Sequence, residues 1–79
     1  MNMFVFGIVD DIFRKYTGAF GVTNDSKTLN PAVIAHVNDS EKECILNDLD
    51  IKLPYGINFS HSYKNGRLKV IFGVDINES

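Results

Sequence analysis

Cysteine, tryptophan and proline are scarce in this sequence. Of its 79 residues, one is cysteine, two are proline and none is tryptophan. The single cysteine, Cys44, can form neither an intrachain disulfide bond nor a thiolate metal cluster. A lone thiol fits a reducing compartment. We therefore expect a cytoplasmic protein whose fold depends on an apolar core and not on cross-links.

Long hydrophobic runs are also lacking. An apolar segment opens the chain at residues 1–9, but Asp10 and Asp11 end it. The segment has no basic flank of the kind that a secretory signal carries. It is also much shorter than the roughly 20 apolar residues that a membrane span needs. We expect neither a signal peptide nor contact with a membrane.

No charge of one sign dominates the chain. The net charge is −2, and charged residues make up 23% of the sequence, so bulk binding to nucleic acid is not indicated. The length fits one domain spanning residues 1–79. A domain of this size buries roughly 60–65% of its unfolded surface, which leaves little room for a deep catalytic cleft. Size therefore favours a binding or regulatory role over catalysis.

The first segment has the periodicity of an amphipathic helix. Apolar residues recur three and four positions apart from Phe4 to Phe20, and Asp10 with Arg14 and Asp11 with Lys15 form acid-first i,i+4 pairs. The pattern predicts a helix over residues 2–17. A buried strand at residues 3–9 is the alternative, because Phe, Val and Ile also favour strands.

The middle of the chain is harder to assign. Residues 18–30 are typical of a loop. Residues 32–37 fit either a short helix that Asn30-Pro31 begins or a strand, because they are rich in β-branched residues. Ser40 and Glu43 have the spacing of a capping box, which predicts a helix over residues 41–49.

The last third contains the clearest signal. Asn65-Gly66 is typical of a two-residue β-hairpin turn. Folding the chain about it places Lys64 opposite Arg67 on one face. Four further pairs then share the other, apolar face: Tyr63 with Leu68, His61 with Val70, Phe59 with Phe72, and Ile57 with Val74. A lone hairpin is marginally stable. We therefore predict an α+β fold with two or three helices packed on a C-terminal antiparallel hairpin, or on a three-stranded sheet if residues 32–37 are extended.

Few residues could carry chemistry. His36, His61 and Cys44 match no metal-ligand spacing. His61 falls on the apolar face of the hairpin, and we expect both histidines to be packed rings. Cys44 is expected to be a small core residue. The sequence therefore predicts no catalytic residue, no metal site and no cofactor.

Two surface features point to partners instead. The segment 39–50 is acidic and the hairpin turn is basic, which gives two surfaces for oppositely charged partners. Met3 and Phe6 extend the polar side of the first helix and would form an exposed apolar patch. The predicted partner-binding residues are Met3, Phe6, Asp39, Glu41, Asp48, Lys64, Arg67 and Lys69.

These features favour a small non-enzymatic binding or regulatory protein with a protein partner, or a homodimer. Size and composition, without any motif, also suggest an inhibitor of a host protein encoded by a phage or mobile element. One alternative is a nucleic-acid-binding module in which the basic turn meets phosphates. Another is a homo-oligomer that binds a small molecule through polar-tipped side chains: His36, His61, Tyr55 and Tyr63.

Overall fold

The computed structural model describes residues 3–73, without the side chains of residues 3–5. Within this range a helix precedes each of two pairs of strands. The elements are α1 (Met3–Tyr16), β1 (Phe20–Asn24), β2 (Pro31–His36), α2 (Asp39–Lys52), β3 (Phe59–Lys64) and β4 (Arg67–Phe72). The predicted α+β class is confirmed. The prediction that the sheet is a C-terminal hairpin, extended at most to three strands, is wrong, because four strands are present.

Helix α1 forms where the sequence predicts an amphipathic helix. Apolar residues at helical spacing are buried: Val9, Ile12 and Phe13. On the exposed side, Arg14 Nε donates a hydrogen bond to Asp10 Oδ2 at 2.9 Å, as the acid-first spacing predicts. The alternative of a strand at residues 3–9 is therefore wrong.

The four strands form one antiparallel sheet in the order β1-β2-β4-β3. Its β3–β4 pair is the predicted hairpin. The predicted pairs within the described residues are all present: Lys64–Arg67, Tyr63–Leu68, His61–Val70 and Phe59–Phe72. The remaining predicted pair, Ile57 with Val74, is not tested, because Val74 lies outside the described residues. Alternating polarity and the turn residues thus set the register of this hairpin.

Two strands precede the hairpin and correct the assignment of the middle segment. The prediction of a loop across residues 18–30 is wrong where β1 occurs. The strand alternative for residues 32–37 is confirmed as β2, and the helix alternative is wrong. In β2 the β-branched Val33 and Ile34 lie between β1 and β4, where such side chains pack well. Pro31 occupies the first strand position, where its missing N–H is tolerated.

Helix α2 begins earlier than the sequence predicts. The capping box joins Asn38 and Glu41, and not Ser40 and Glu43. The Glu41 N–H donates to Asn38 Oδ1 at 2.7 Å, and the Asn38 N–H donates to Glu41 Oε1 at 2.9 Å. Two capping signals overlap in this segment, and Asn38 is used because β2 ends two residues before it. The helix ends before Pro54, as expected.

The strand register decides which side chains share a face of the sheet, because directly paired antiparallel residues point the same way. Both helices contribute to the core on one side, which we call the helix face. Its buried strand residues are Val33, Ala35, Leu68, Val70 and Phe72. Neither helix covers the other side, which we call the open face. Its strand positions include Ile34, His36, Ser62, Lys64, Arg67, Lys69 and Ile71.

The helices of the described region are too short or too polar to cross a membrane. Residues 3–73 also contain no group of three or more His, Cys, Asp or Glu side chains placed to hold a metal ion.

Candidate functional site

The predicted acidic residues of α2 do not form one surface. Asp39 is exposed in the first turn, whereas Glu41 is engaged in the capping box. Asp48 lies between the helices and accepts a hydrogen bond from the Tyr16 hydroxyl at 2.8 Å. This hydrogen bond, together with burial, raises the pKa of Tyr16. Asp48 therefore holds α1 against α2, and its role in partner binding stays a prediction.

The predicted basic residues share the open face but differ in their contacts. Lys64 and Arg67 are exposed and form no ion pair with a described residue. Lys69 Nζ instead lies 2.8 Å from Asp25 Oδ1. The cation of Lys69 is thus largely committed within the chain, whereas the other two face solvent.

Asp25 organises the loop between β1 and β2. It is 7% exposed, and its Oδ2 accepts from the Thr28 N–H and hydroxyl, both at 2.9 Å. The Lys69 ammonium group holds the pKa of Asp25 well below its usual range, and the two hydrogen bonds from Thr28 add to this effect. The carboxylate thereby ties the loop to the open face at β4.

The lowered pKa of Asp25 predicts sensitivity to acid. Because the folded state favours the charged form, Asp25 contributes stability above the ordinary carboxyl pKa of about 4, and this contribution is lost as the pH falls below it. We expect Asp25→Asn to lower the Tm at pH 7 and to flatten the fall in Tm between about pH 5 and 2. Thermal melts across this range measure both effects. The exposed Asp11→Asn should keep the wild-type profile, and equal profiles for both variants would contradict this assignment.

The side chains considered for chemistry are exposed, contrary to prediction. Cys44 lies at the surface of α2 and is not a core residue. His36 and His61 are exposed and are not packed rings. Their register explains this result, because His36 ends the central strand β2 on the open face, whereas His61 lies on the outer strand β3 on the helix face. The two imidazoles therefore lie on opposite faces of the sheet.

The polar-tipped residues of the small-molecule alternative also do not converge. Tyr55 follows α2 and is fully exposed. Tyr63 is half-buried beneath α2, and its hydroxyl donates to the Val37 carbonyl at 2.7 Å. Burial raises the pKa of Tyr63, and the negative charge of Asp39 adds to this effect. Tyr63 thus connects the hairpin to the start of α2, and its hydroxyl is already engaged within the chain.

Phe6, by contrast, lies in a surface groove. The groove runs between α1 and β1, has a volume of about 380 Å³ and is lined by residues that include Phe6, Asp10, Arg14, Ala19, Phe20 and Val22. The Arg14 guanidinium lies 5.5 Å from the centroid of the Phe20 ring. The side chain of Met3, the other half of the predicted apolar patch, lies outside the described residues. We call this feature the α1–β1 groove.

The α1–β1 groove is bordered by a free strand edge. Backbone hydrogen bonds in an antiparallel pair engage alternate residues. Just beyond β1, the Asp25 N–H donates to the Asn30 carbonyl at 2.7 Å, so alternation directs the N–H and C=O groups of Phe20, Val22 and Asn24 away from β2. No described strand pairs with this edge. These groups are therefore open to another strand.

The β1 edge lacks the features that usually prevent strand addition. Natural edge strands are commonly protected by charged residues, proline or a bulge. The sequence of β1, FGVTN, contains neither a charge nor proline, and Val22 is 52% exposed. The other outer strand, β3, contains His61 and Lys64. Sequence reasoning missed the β1 edge, although the uncharged alternation of Phe20, Val22 and Asn24 was a signal that could have indicated it.

No family model matches this chain, and no curated protein or solved structure shows significant similarity to it. Its function must therefore be inferred from the surfaces described above.

Proposed function

We propose that this chain is a small non-enzymatic binding protein that recognises a protein partner through the β1 edge and the α1–β1 groove. The observation that carries the proposal is the uncharged free edge of β1 beside a groove containing Phe6 and Phe20. The partner supplies an extended segment that adds to the sheet as a further strand. Regulation or inhibition of a host protein is the role expected for such a binder, on size and composition alone.

Strand addition suits this geometry because it uses two kinds of contact. Main-chain hydrogen bonds supply affinity, and pockets beside the strand select alternate side chains. Here Phe20, Val22 and Asn24 direct their backbone groups outward, and the side chains of Phe20 and Val22 line the groove. An incoming strand would therefore place every second side chain over the same groove. Apolar partner residues match it best.

The α1–β1 groove also has little preference for the charge of a binding partner. Asp10 and Arg14 lie among its lining residues and are bonded to each other at 2.9 Å. Because this pair is compensated, the surface attracts neither a strongly acidic nor a strongly basic partner. A second copy of the chain presents the same neutral edge. A second copy of the chain, bound through its own β1, is therefore the competing occupant of this edge.

Val22→Lys is expected to weaken partner binding strongly. A cation at the centre of the edge opposes strand addition, and disruption of a central contact of hot-spot strength weakens binding by about 30-fold or more. Because Val22 is half-exposed, the change in the free energy of unfolding should stay within about 0.5 kcal/mol. Affinity capture from nuclease-treated host lysate, followed by titration of the captured protein, measures the effect. Phe6→Asp should weaken binding in the same direction.

Ile51→Lys is the matched control, because Ile51 is an apolar residue of α2 that is 69% exposed and distant in sequence from the groove. It should bind like the wild type. Native mass measurements on the wild type and the three variants separate self-association from binding to another protein. The proposal fails if Val22→Lys keeps wild-type affinity, or if Ile51→Lys loses as much.

A further inference from the structure

The strand register places three basic side chains in one row on the open face. Lys64 is paired directly with Arg67 across the β3–β4 hairpin. Arg67 is paired in turn with His36 across β4 and β2. All three side chains are exposed. We call Lys64, Arg67 and His36 the basic row.

The pairing of Lys64 with Arg67 in the basic row is electrostatically unfavourable within the chain itself. Directly opposed like charges in neighbouring strands have Cβ atoms about 4.5–5.5 Å apart and destabilise the sheet. None of the three side chains forms an ion pair with a described residue. Lys69, on the same face, is by contrast neutralised by Asp25 at 2.8 Å. Among the described residues, therefore, Lys69 is compensated, whereas Lys64 and Arg67 have no ion-pair partner and can bind an external anion.

Neighbouring groups indicate which anion fits. Ser62 lies on the same face, two residues before Lys64 and directly opposite Lys69, so a hydroxyl donor adjoins the row. Arginine binds phosphate oxygens through two parallel N–H groups, and lysine adds a compact charge. The described strand positions on the open face hold no Phe, Tyr or Trp, so the one aromatic ring among them is the imidazole of His36, and no broad platform for stacking bases is present. The row is thus better suited to phosphate than to a base.

We propose that the basic row is a binding site for a phosphate group, with Arg67 as its central ligand and Lys64, His36 and Ser62 as flanking donors. The group belongs to a small phosphorylated compound or to a nucleic-acid backbone, which share this chemistry. The site lies on the open face, whereas the α1–β1 groove lies at the outer strand β1. Phosphate binding is therefore independent of partner binding, and Val22→Lys should leave it unchanged.

Amide NMR titrations at low salt test the site with two probes, inorganic pyrophosphate and a single-stranded oligothymidylate. We expect both probes to shift the amide signals of residues 64–67 and of His36. Arg67→Gln should weaken binding by about tenfold or more, because it removes a charge-assisted contact. An oligonucleotide that binds at least about tenfold more tightly than pyrophosphate, with a steep dependence on salt, identifies nucleic acid. Equal affinities identify a small phosphorylated ligand.

Lys52→Gln is the control, because Lys52 is an exposed cation in the last turn of α2 and away from the open face. It should bind both probes as the wild type does. The site is overturned if neither probe shifts the signals of residues 64–67. It is also overturned if Lys52→Gln weakens binding as much as Arg67→Gln does, since binding would then reflect overall charge. Thermal melts establish that both variants are folded.

Discussion

Replacing Leu49 with alanine should remove a large part of the stability of this protein. Leu49 lies on α2, is fully buried and belongs to the core that joins both helices to β2 and β4. Truncating a buried leucine removes apolar contacts and leaves a cavity, at a cost of about 2–5 kcal/mol. In a domain of this size each kcal/mol lowers the Tm by about 4–8 °C. Urea and thermal unfolding of Leu49→Ala measure the loss directly.

Ile51→Ala is the matched control, because Ile51 lies on the same helix but is 69% exposed. Its substitution should change the free energy of unfolding by no more than about 0.5 kcal/mol. Equal losses for the two variants would mean that α2 does not pack on the sheet in the orientation described.

The turn of the hairpin is the second position where a small change should have a large effect. Gly66 has φ of +79° and Asn65 has φ of +54°, as a type I′ turn requires. A side chain at Gly66 is strained in this conformation, by about 1–2 kcal/mol. A Cβ at Gly66 would have enough room, since its nearest neighbour would be the Val37 carbonyl oxygen at 3.8 Å. Room for the side chain does not relieve the strain, because the strain lies in the backbone. We therefore expect Gly66→Ala to lower the free energy of unfolding.

Gly7→Ala should have the opposite effect. Gly7 lies inside α1, has ordinary helical φ, and a Cβ there meets no atom within 4 Å. Alanine should stabilise such an exposed helical position by about 0.5–1 kcal/mol. Chemical denaturation of the two variants compares them directly. A Gly66→Ala protein as stable as the wild type would contradict the turn geometry, and a destabilised Gly7→Ala would contradict the exposure of that helix position.

The parts of the fold that were predictable are those with strong local signals. In α1 the helical spacing of apolar residues coincides with the acid–base pair Asp10–Arg14. In the hairpin, Asn65-Gly66 and strict alternation act together, so every described pair has the predicted register. Agreement between two independent signals distinguishes these segments from the rest of the chain.

The strand β1 was missed because the signal in its own sequence is weak and its stability comes mainly from pairing with β2. Its five residues contain one glycine and follow a glycine and an alanine, so local propensity favours a loop. The strand pairs only with β2 among the described strands, and β2 is itself paired with β4. The strand that forms the candidate site is thus the one whose existence depends most on tertiary contacts.

The exposure of the histidines and of Cys44 was mispredicted for a related reason. Alternation correctly placed His61 on the same side as Val70, but it could not show that β3 is an outer strand. His61 lies on the helix face of this outer strand and is exposed, whereas Phe59 and Tyr63 on the same face are half-buried, so coverage by the helices differs from one position to the next. Cys44 precedes the buried Ile45 on α2 by one position, which turns its side chain about 100° away from the core. Periodicity predicts the face of a helix or strand on which a side chain lies, whereas predicting its burial also requires the order of the strands in the sheet.

Amide hydrogen exchange in the partner complex tests the central claim most directly. In the free protein the outward N–H groups of β1, at Phe20, Val22 and Asn24, should exchange rapidly because no described strand protects them. Binding of the captured partner should protect these three amides. The outward amides of β3, at Phe59, His61 and Tyr63, should remain unprotected. Protection of the β3 amides alone, or no protection of either set of amides, would contradict partner recognition through the β1 edge.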